Sequence, residues 1–308
     1  MANSTLGDVE NINLNISRIP GMEFSVDIAE AMIAAVNILF SITSSLGNIL
    51  ILIALPKVKS LHPPTKLLFQ CLAITDLAVG LTSQPLFATV LLIDYNINCS
   101  SVTVILCNYL SLIFCGVSLL ISTALSVDRL LALLLGLRYR HVVTLKRARI
   151  AVACCWLTAL VTVLVTFLLR GKTLTRIVII LIILSVIISL SSYTKIVLKL
   201  RQHQTSVQEN VHQGMANAGG VPIILEQYKR TVVSIALVQV ALVACYVPFL
   251  IIHVLRELDS IPNYVFSLLS TTFVYLNSSL NPFLYCWRIK EVRQAVLGTI
   301  KRFCLCPS

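Results

Sequence analysis

Long apolar runs separated by short polar segments are the dominant pattern in this chain. Each run carries at most one charged residue and is long enough to cross roughly 30 Å of hydrocarbon as a helix. The runs are Ala31–Leu55, Leu67–Ile93, Cys99–Val127, Ile150–Leu169, Ile177–Thr194, Thr231–Leu255 and Pro262–Trp287. The pattern predicts an all-α membrane fold, a bundle of seven transmembrane helices.

After the seventh run the pattern changes to an apolar stripe with basic residues between its members. Apolar side chains recur at helical spacing at Ile289, Val292, Val296, Ile300 and Phe303. This spacing predicts a short amphipathic eighth helix that lies on the inner leaflet of the membrane.

These patterns divide the chain into three parts. We expect an extracellular glycosylated tail over residues 1–27, the seven-helix bundle over residues 28–287, and the amphipathic helix with a cytoplasmic tail over residues 288–308. The tail is polar and lacks the apolar core of a cleaved signal peptide, so the first span is expected to act as its own insertion signal.

Composition and charge support a membrane protein. The chain is 57% hydrophobic and only 12% charged, and its net charge is +11. With the N-terminus outside, most basic residues fall in cytoplasmic segments, as the positive-inside rule requires. The basic residues left outside are Arg18, Arg170, Lys172, Arg176 and Arg256. The positive charge therefore reflects topology and gives no support to a nucleic-acid partner.

Several residues are candidates for modification. Asn3, Asn15 and Asn98 begin glycosylation sequons on the expected outer side. Cys304 and Cys306 follow the amphipathic stretch and are candidates for acylation. Cys99 and Cys107 lie near the oxidising side and could form a local disulfide, which the sequence alone leaves open.

Polar residues inside the apolar runs are the candidate functional groups. Asp76 lies in the second span, and no basic residue within a span is available to pair with it. A carboxylate so placed should be protonated or hold a cation. In the third span, the spacing of Ser111, Ser118 and Arg129 puts them on one helix face. In the seventh span Asn277, Ser278 and Asn281 lie within about one turn of Pro282, and the sixth span holds a second proline, Pro248.

Taken together, these residues resemble a rhodopsin-like (class A) G-protein-coupled receptor, over roughly residues 28–303. Each matching motif is weak alone, but they occur in order, each in its own span. They are Gly47-Asn48, Leu72-Ala73 with Asp76, Asp128-Arg129, Trp156, Tyr193, Pro248, and Asn281-Pro282 with Tyr285.

The resemblance implies roles for three sets of residues. A sodium ion, the only cofactor implied, would lie among Asp76, Ser118, Asn277, Ser278 and Asn281. The switch for G-protein coupling would comprise Asp128, Arg129, Tyr193, Tyr285, Pro248 and Pro282. The ligand pocket would be lined by Ser111, Tyr246, Phe249, Leu250, His253, Thr271 and Tyr275.

The resemblance also implies partners and a location. The expected partners are a heterotrimeric G protein, arrestin and a receptor kinase, an extracellular ligand and membrane lipid. The expected location is the plasma membrane. Ser111 stands where amine receptors have an aspartate, and Tyr275 replaces the lysine that would hold retinal, so neither an amine nor retinal is expected. An apolar pocket with few polar points favours a neutral or lipid-like ligand.

Departures from the family pattern are informative. The short second outer loop, the missing cysteine pair that would tie it to the third helix, and Ser60-Leu-His-Pro-Pro resemble the melanocortin, cannabinoid and lysophospholipid branch. The acidic cluster of melanocortin receptors is not matched. Tyr228, with Glu226 nearby, stands where an acid often holds Arg129. We therefore expect basal activity, and a reporter assay without ligand-independent signal at good surface expression would contradict it.

Two other classes of membrane protein are weaker alternatives. A secondary transporter using Asp76 as an ion site should show internal repeats with broken helices in matching places, and none is found. A membrane enzyme would need clustered nucleophiles, bases or metal ligands. The five histidines are instead scattered along the chain. The sequence therefore favours a receptor, and no enzyme activity is expected.

Overall fold

The architecture comes from a computed structural model that describes residues 22–59, 61–92, 99–169, 172–212, 240–258, 263–288 and 290–304. Ten residues named individually above lie outside these ranges: Asn3, Asn15, Arg18, Ser60, Asn98, Arg170, Glu226, Tyr228, Ile289 and Cys306. The described side chains also leave out Cys99 and Cys304.

The described residues form a helical bundle that matches the prediction. The helices are α1 (Met22–Ala54), α2 (Pro63–Leu92), α3 (Cys99–Leu135), α4 (Leu145–Leu169), α5 (Lys172–His212), α6 (Val240–Glu257, its described part), α7 (Tyr264–Arg288) and α8 (Lys290–Cys304). Each predicted run lies within or overlaps one of α1 to α7, and α8 is the predicted amphipathic helix.

The first six helices have both the length and the apolar composition of membrane spans. Their outer faces expose large apolar side chains, for example Met32, Leu39, Leu81 and Leu164, as lipid contact requires. The seventh helix, α7, has 25 residues, or about 38 Å, and is also long enough. It is more polar because Asn277, Ser278, Ser279 and Asn281 replace apolar residues on the face that is buried in the protein.

The fifth helix is longer than its apolar run. α5 continues for 41 residues to His212, about 62 Å, so it extends well beyond the hydrocarbon layer. The polar composition from Gln202 to Tyr228 predicts a flexible loop, and this prediction is wrong for residues 202–212, which are helical. Lys195, Lys199 and Arg201 are good helix formers, and no Gly or Pro interrupts the chain from there to His212.

The second helix contains a π-helical turn, which the sequence did not predict. The turn covers Val79–Ser83, between the α-helical segments Pro63–Ala78 and Gln84–Leu92. Pro85 cannot donate to a carbonyl four residues earlier, and its ring would clash there. The carbonyl that it would meet belongs to Leu81, inside the π turn, so the turn accommodates the proline.

Close packing holds α1 against α7 and α2. A Cβ atom built on Gly47 would lie 2.8 Å from Cγ of Pro282, and one on Gly80 would lie 2.8 Å from Oγ of Ser45. The helix axes therefore approach closely because both positions lack a side chain. At the inner end, α8 buries Val292 and Val296 against the core, and Lys57 Nζ donates to Thr299 Oγ1 at 2.8 Å.

Candidate functional site

A carboxyl group at the meeting point of α2, α3 and α7 is the centre of the polar interior. Asp76 is fully buried. Ser118 Oγ donates to its Oδ1 at 2.7 Å, and Asn281 Nδ2 donates to its Oδ2 at 2.6 Å. The hydroxyl of Ser278 also interacts with it. Three helices thus contribute to one buried site.

The proline in α7 explains a second layer of hydrogen bonds around this carboxyl. Pro282 has no N–H, so the carbonyl of Ser278, four residues earlier, loses its helical partner. Asn48 Nδ2 donates to that carbonyl at 3.2 Å and to the carbonyl of Ser44 at 2.9 Å. Ser44 Oγ in turn donates to the backbone carbonyl of Asp76 at 3.0 Å. A polar residue of α1 therefore replaces the hydrogen bond that the proline removes.

The predicted sodium site is brought together in this region. Asn277 is also buried, and its Nδ2 has no hydrogen-bond partner among the residues that the structure describes. In the part of the chain that the structure describes, no cationic side chain pairs with Asp76. The carboxylate, two serine hydroxyls and the amide oxygens are hard oxygen donors. Their chemistry fits a small alkali cation, which would supply the missing positive charge.

At the cytoplasmic end, Asp128 contacts the second inner loop rather than Arg129. Tyr139 OH donates to its Oδ1 at 2.7 Å, and Thr65 Oγ1 donates to its Oδ2 at 2.8 Å. The Thr65 and Tyr139 oxygens lie 3.0 Å apart, and the ring of Tyr139 lies 5.1 Å from that of His62. Both oxygens of the carboxylate are engaged, and the loop is attached to α2 and α3.

Arg129 stacks on an aromatic pair. Its guanidinium carbon lies 5.5 Å above the ring of Phe69, within the range of a cation–π contact. The ring of Phe69 meets that of Tyr285 edge-on at 4.8 Å. Nε and Nη2 of Arg129 are buried and have no hydrogen-bond partner within the described part of the chain. Tyr193, another predicted member of the switch, lies in α5 and makes no hydrogen bond among the described residues.

The outer half of the bundle contains a cavity of about 350 Å³ between α3, α4, α5, α6 and α7. Six predicted pocket residues line it: Ser111, Tyr246, Phe249, His253, Thr271 and Tyr275. Leu250, the seventh predicted residue, is not among the residues that line the cavity, and it packs against the core cluster that also contains Tyr246. At one wall, the hydroxyls of Ser111 and Tyr275 lie 2.7 Å apart and connect α3 with α7.

Comparison with known proteins places the chain in a family. Residues 47–177 and 172–285 match the family "7 transmembrane receptor (rhodopsin family)". The chain belongs to this family. The resemblance seen in the motifs is thereby confirmed, and the receptor is not an enzyme.

Individual relatives are distant. The receptor is 25% identical to the sheep (Ovis aries) adenosine receptor A3 over 88% of its own length and 90% of the relative's. It is 26% identical to the zebrafish (Danio rerio) melanocortin receptor 4, over 86% of its length and 81% of the relative's. The cattle (Bos taurus) adenosine receptor A3 is 25% identical to the receptor, over 92% of the receptor's length and 93% of the relative's. Similarity to a melanocortin receptor agrees with the predicted branch.

The possible disulfide between Cys99 and Cys107 does not form in the receptor. Cys107 has a free, buried thiol. Its sulfur lies 4.0 Å from the backbone oxygen of Ser83 and 4.0 Å from the hydroxyl of Tyr275. On the helix, the Cys107 side chain faces inward and lines the cavity. The spacing of the two cysteines along the sequence could not show this orientation.

Sequence reasoning missed several residues of the receptor's polar core. Thr65, Phe69 and Tyr139 support Asp128 and Arg129, and Ser44 supports Asp76. Pro63 and Pro64 at the start of α2 were the available signal for Thr65, since proline favours the first helical turn and fixes the residues after it. Nothing in the sequence pointed to Phe69, which looks like an ordinary core residue.

Proposed function

We propose that the receptor binds an extracellular ligand in the outer cavity and activates a heterotrimeric G protein at its inner face. In this proposal the protein lies in the plasma membrane with its N-terminus outside. Outward movement of α6 opens the inner face. A ligand drives this change only by the difference in its affinity for the two states. Coupling between the two faces is therefore reciprocal.

The observation that carries the proposal is the contact of α7 with its neighbours at three levels. Near the cavity, Tyr275 contacts Ser111 of α3. Deeper in the membrane, Asn281 binds Asp76 of α2. Still deeper, Tyr285 contacts the ring on which Arg129 stacks. A ligand that moves α7 or α6 can thus alter the surroundings of Arg129 through a contiguous set of contacts.

The inner face offers a suitable contact for a partner. Arg129 has two nitrogens without hydrogen-bond partners, and both its charge and its planar donor group suit backbone carbonyls of an inserted segment. We propose that backbone carbonyls of the G protein accept hydrogen bonds from these two nitrogens once α6 has moved. Arrestin and a receptor kinase would act on the same inner face.

We also propose a sodium ion as an allosteric ligand at Asp76. The support is a buried carboxyl surrounded by Ser118, Ser278, Asn277 and Asn281, with no cationic side chain of the described residues paired to it. Bound sodium should stabilise the resting state by mass action. Raising sodium at constant ionic strength should raise the thermal midpoint of the purified receptor, and Ser118→Ala should reduce this rise. If potassium raised the thermal midpoint as much as sodium does, the assignment of the ion would be contradicted.

The experiment that tests the coupling is nucleotide exchange on G proteins in membranes that contain the receptor, without ligand and with hits from a small-molecule and peptide screen. Arg129→Ala should lower exchange at least about tenfold at equal surface expression. Arg149→Ala, the same change at an exposed cytoplasmic position, is the matched control and should leave exchange unaltered. Equal exchange in all three proteins would contradict the proposal.

A further inference from the structure

We propose that the outer cavity binds an amphiphile with an acidic head group, a carboxylate or a phosphate monoester, which pairs with Arg256. The apolar body of this ligand would occupy the space between α3, α5 and α6. The inference rests on the proposed function, because it identifies the class of ligand that the same cavity takes.

The walls of the cavity suit an apolar body. Large aliphatic side chains from two helices, α3 and α5, form much of the surface: Leu112, Leu119, Leu120, Val178, Leu181 and Ile182. A ligand in such a space gains free energy mainly by removing apolar surface from water. A polar peptide segment or a sugar would leave hydrogen-bonding groups unpaired against these walls.

The only charged residue that lines the cavity within the described part of the chain is a cation. Arg256 lies at the outer end of α6, and no acidic residue is among the lining residues. The acid next to it along the chain, Glu257, is already engaged, because Arg176 Nε binds its Oε2 at 2.7 Å. Arg256 itself makes no ion pair with the described residues. A planar guanidinium with free donors is well suited to a carboxylate or a phosphate.

One turn deeper on the same helix face, His253 offers a second polar group. Its Nδ1 is buried and has no hydrogen-bond partner among the described residues, and its ring lies 4.2 Å from that of Phe249. Residues three apart on a helix share a face, so His253 and Arg256 both reach the outer end of the cavity. Together they can bind two oxygens of one head group.

The positive charge of Arg256 distinguishes between classes of ligand. A cationic amphiphile would meet Arg256 and find no counter-ion among the lining residues, which is unfavourable. A neutral alcohol of the same length would fill the walls but leave the guanidinium without an ionic partner. Only an amphiphile with an acidic head group would both pack its apolar body against the walls and form an ion pair with Arg256.

A set of four compounds with one apolar body tests the proposal: dodecanoate, monododecyl phosphate, dodecanol and dodecylamine. Binding is measured as the rise in thermal midpoint of the purified full-length receptor, and signalling as nucleotide exchange. At least one of the two acids should bind about tenfold to a hundredfold more tightly than dodecanol, as expected for a charge-assisted pair. The acid that binds better identifies the head group.

Variants of the receptor make the test specific. Arg256→Gln should remove the preference for the acid over the alcohol, and Arg256→Lys should retain part of it. Arg201→Gln, the same change at an exposed residue of α5, is the matched control and should keep the full preference. The thermal midpoint without ligand shows whether each variant is folded.

Two results would overturn the proposal. One is equal affinity for dodecanol and both acids in the unaltered receptor, and the other is a preference for the acids that survives Arg256→Gln. If exchange still depends on Arg129 while neither acid binds, the ligand class is wrong and the receptor function stands. If an acid binds at Arg256 but exchange never depends on Arg129, the proposed coupling fails instead.

Discussion

Gly47 shows how one residue sets the distance between two helices. Its neighbour across the interface is the ring of Pro282, and an added methyl group would lie 2.8 Å from it. Real carbon atoms do not approach so closely, so α1 and α7 would have to separate. That separation would also disturb Asn48, whose amide binds the Ser278 carbonyl from the next position along α1.

We therefore expect Gly47→Ala to destabilise the receptor by about 1–3 kcal/mol, as overpacking does. The thermal midpoint of purified protein should fall by about 2–4 °C for each kcal/mol. Gly298→Ala is the matched control, since nothing lies within 4 Å of its added Cβ. An unchanged midpoint in Gly47→Ala would show that the two helices pack less closely than described.

Tyr139 provides a second test at a single residue. Its hydroxyl donates to the buried carboxylate of Asp128, and hydrogen bonds to charged groups contribute about 1.5–3 kcal/mol. Tyr139→Phe should therefore lower the thermal midpoint while it keeps the ring beside His62. Tyr109→Phe removes a hydroxyl that makes no hydrogen bond among the described residues and should have little effect. Similar midpoints in the two variants would argue against the link between the loop and α3.

Among the helices, α2 shows most clearly what the apolar pattern leaves undetermined. The run predicted a single span, and Pro85 predicted a bend in it, but neither predicted the π turn Val79–Ser83 that the helix contains. A π turn holds one residue more than the α-helical path that it replaces. The extra residue therefore rotates Gln84–Leu92 by about 100° relative to the orientation that an uninterrupted α-helix would give them, and in the rotated segment Phe87 is buried.

This geometry predicts an unusual tolerance to deletion. Removing Leu81, an exposed residue within the π turn, should leave a regular α-helix in which Gln84–Leu92 keeps its orientation. Removing Ile74, also exposed, should instead rotate Asp76 by about 100° out of its site. Surface expression and thermal stability should survive the first deletion and be lost in the second. Equal loss in both would contradict the assignment of the extra residue to the turn.

The sequence predicted the existence of the helices better than their ends. Apolar runs report contact with lipid, so they identify every described span. They do not report where a helix ends in water, and α5 continues to His212 because nothing in Lys195–Arg201 interrupts it. In the same way, the sequence left open whether Cys107 forms a disulfide, because rotation about a helix axis depends on packing between helices.

For the molecule as a whole, the polar interior was more predictable than the outer cavity. Asp76, Ser118 and Asn281 meet as expected, since polar groups in lipid must find one another and few are available. The position of the cavity depends instead on how the shapes of the apolar side chains fit together between the helices, which the sequence does not show. Arg256 was therefore counted only as an outer basic residue, although it lines the cavity.

The central claim is that the charge of Asp76 couples the interior of the bundle to signalling at the inner face. The most direct measurement is ligand-independent nucleotide exchange as sodium replaces potassium at constant ionic strength, in the unaltered receptor and in Asp76→Asn. That variant keeps the size and polarity of the side chain, retains one of its two acceptor oxygens and removes its charge. Sodium should lower exchange in the unaltered receptor and have no effect in Asp76→Asn. The same sodium dependence in both proteins would contradict the account.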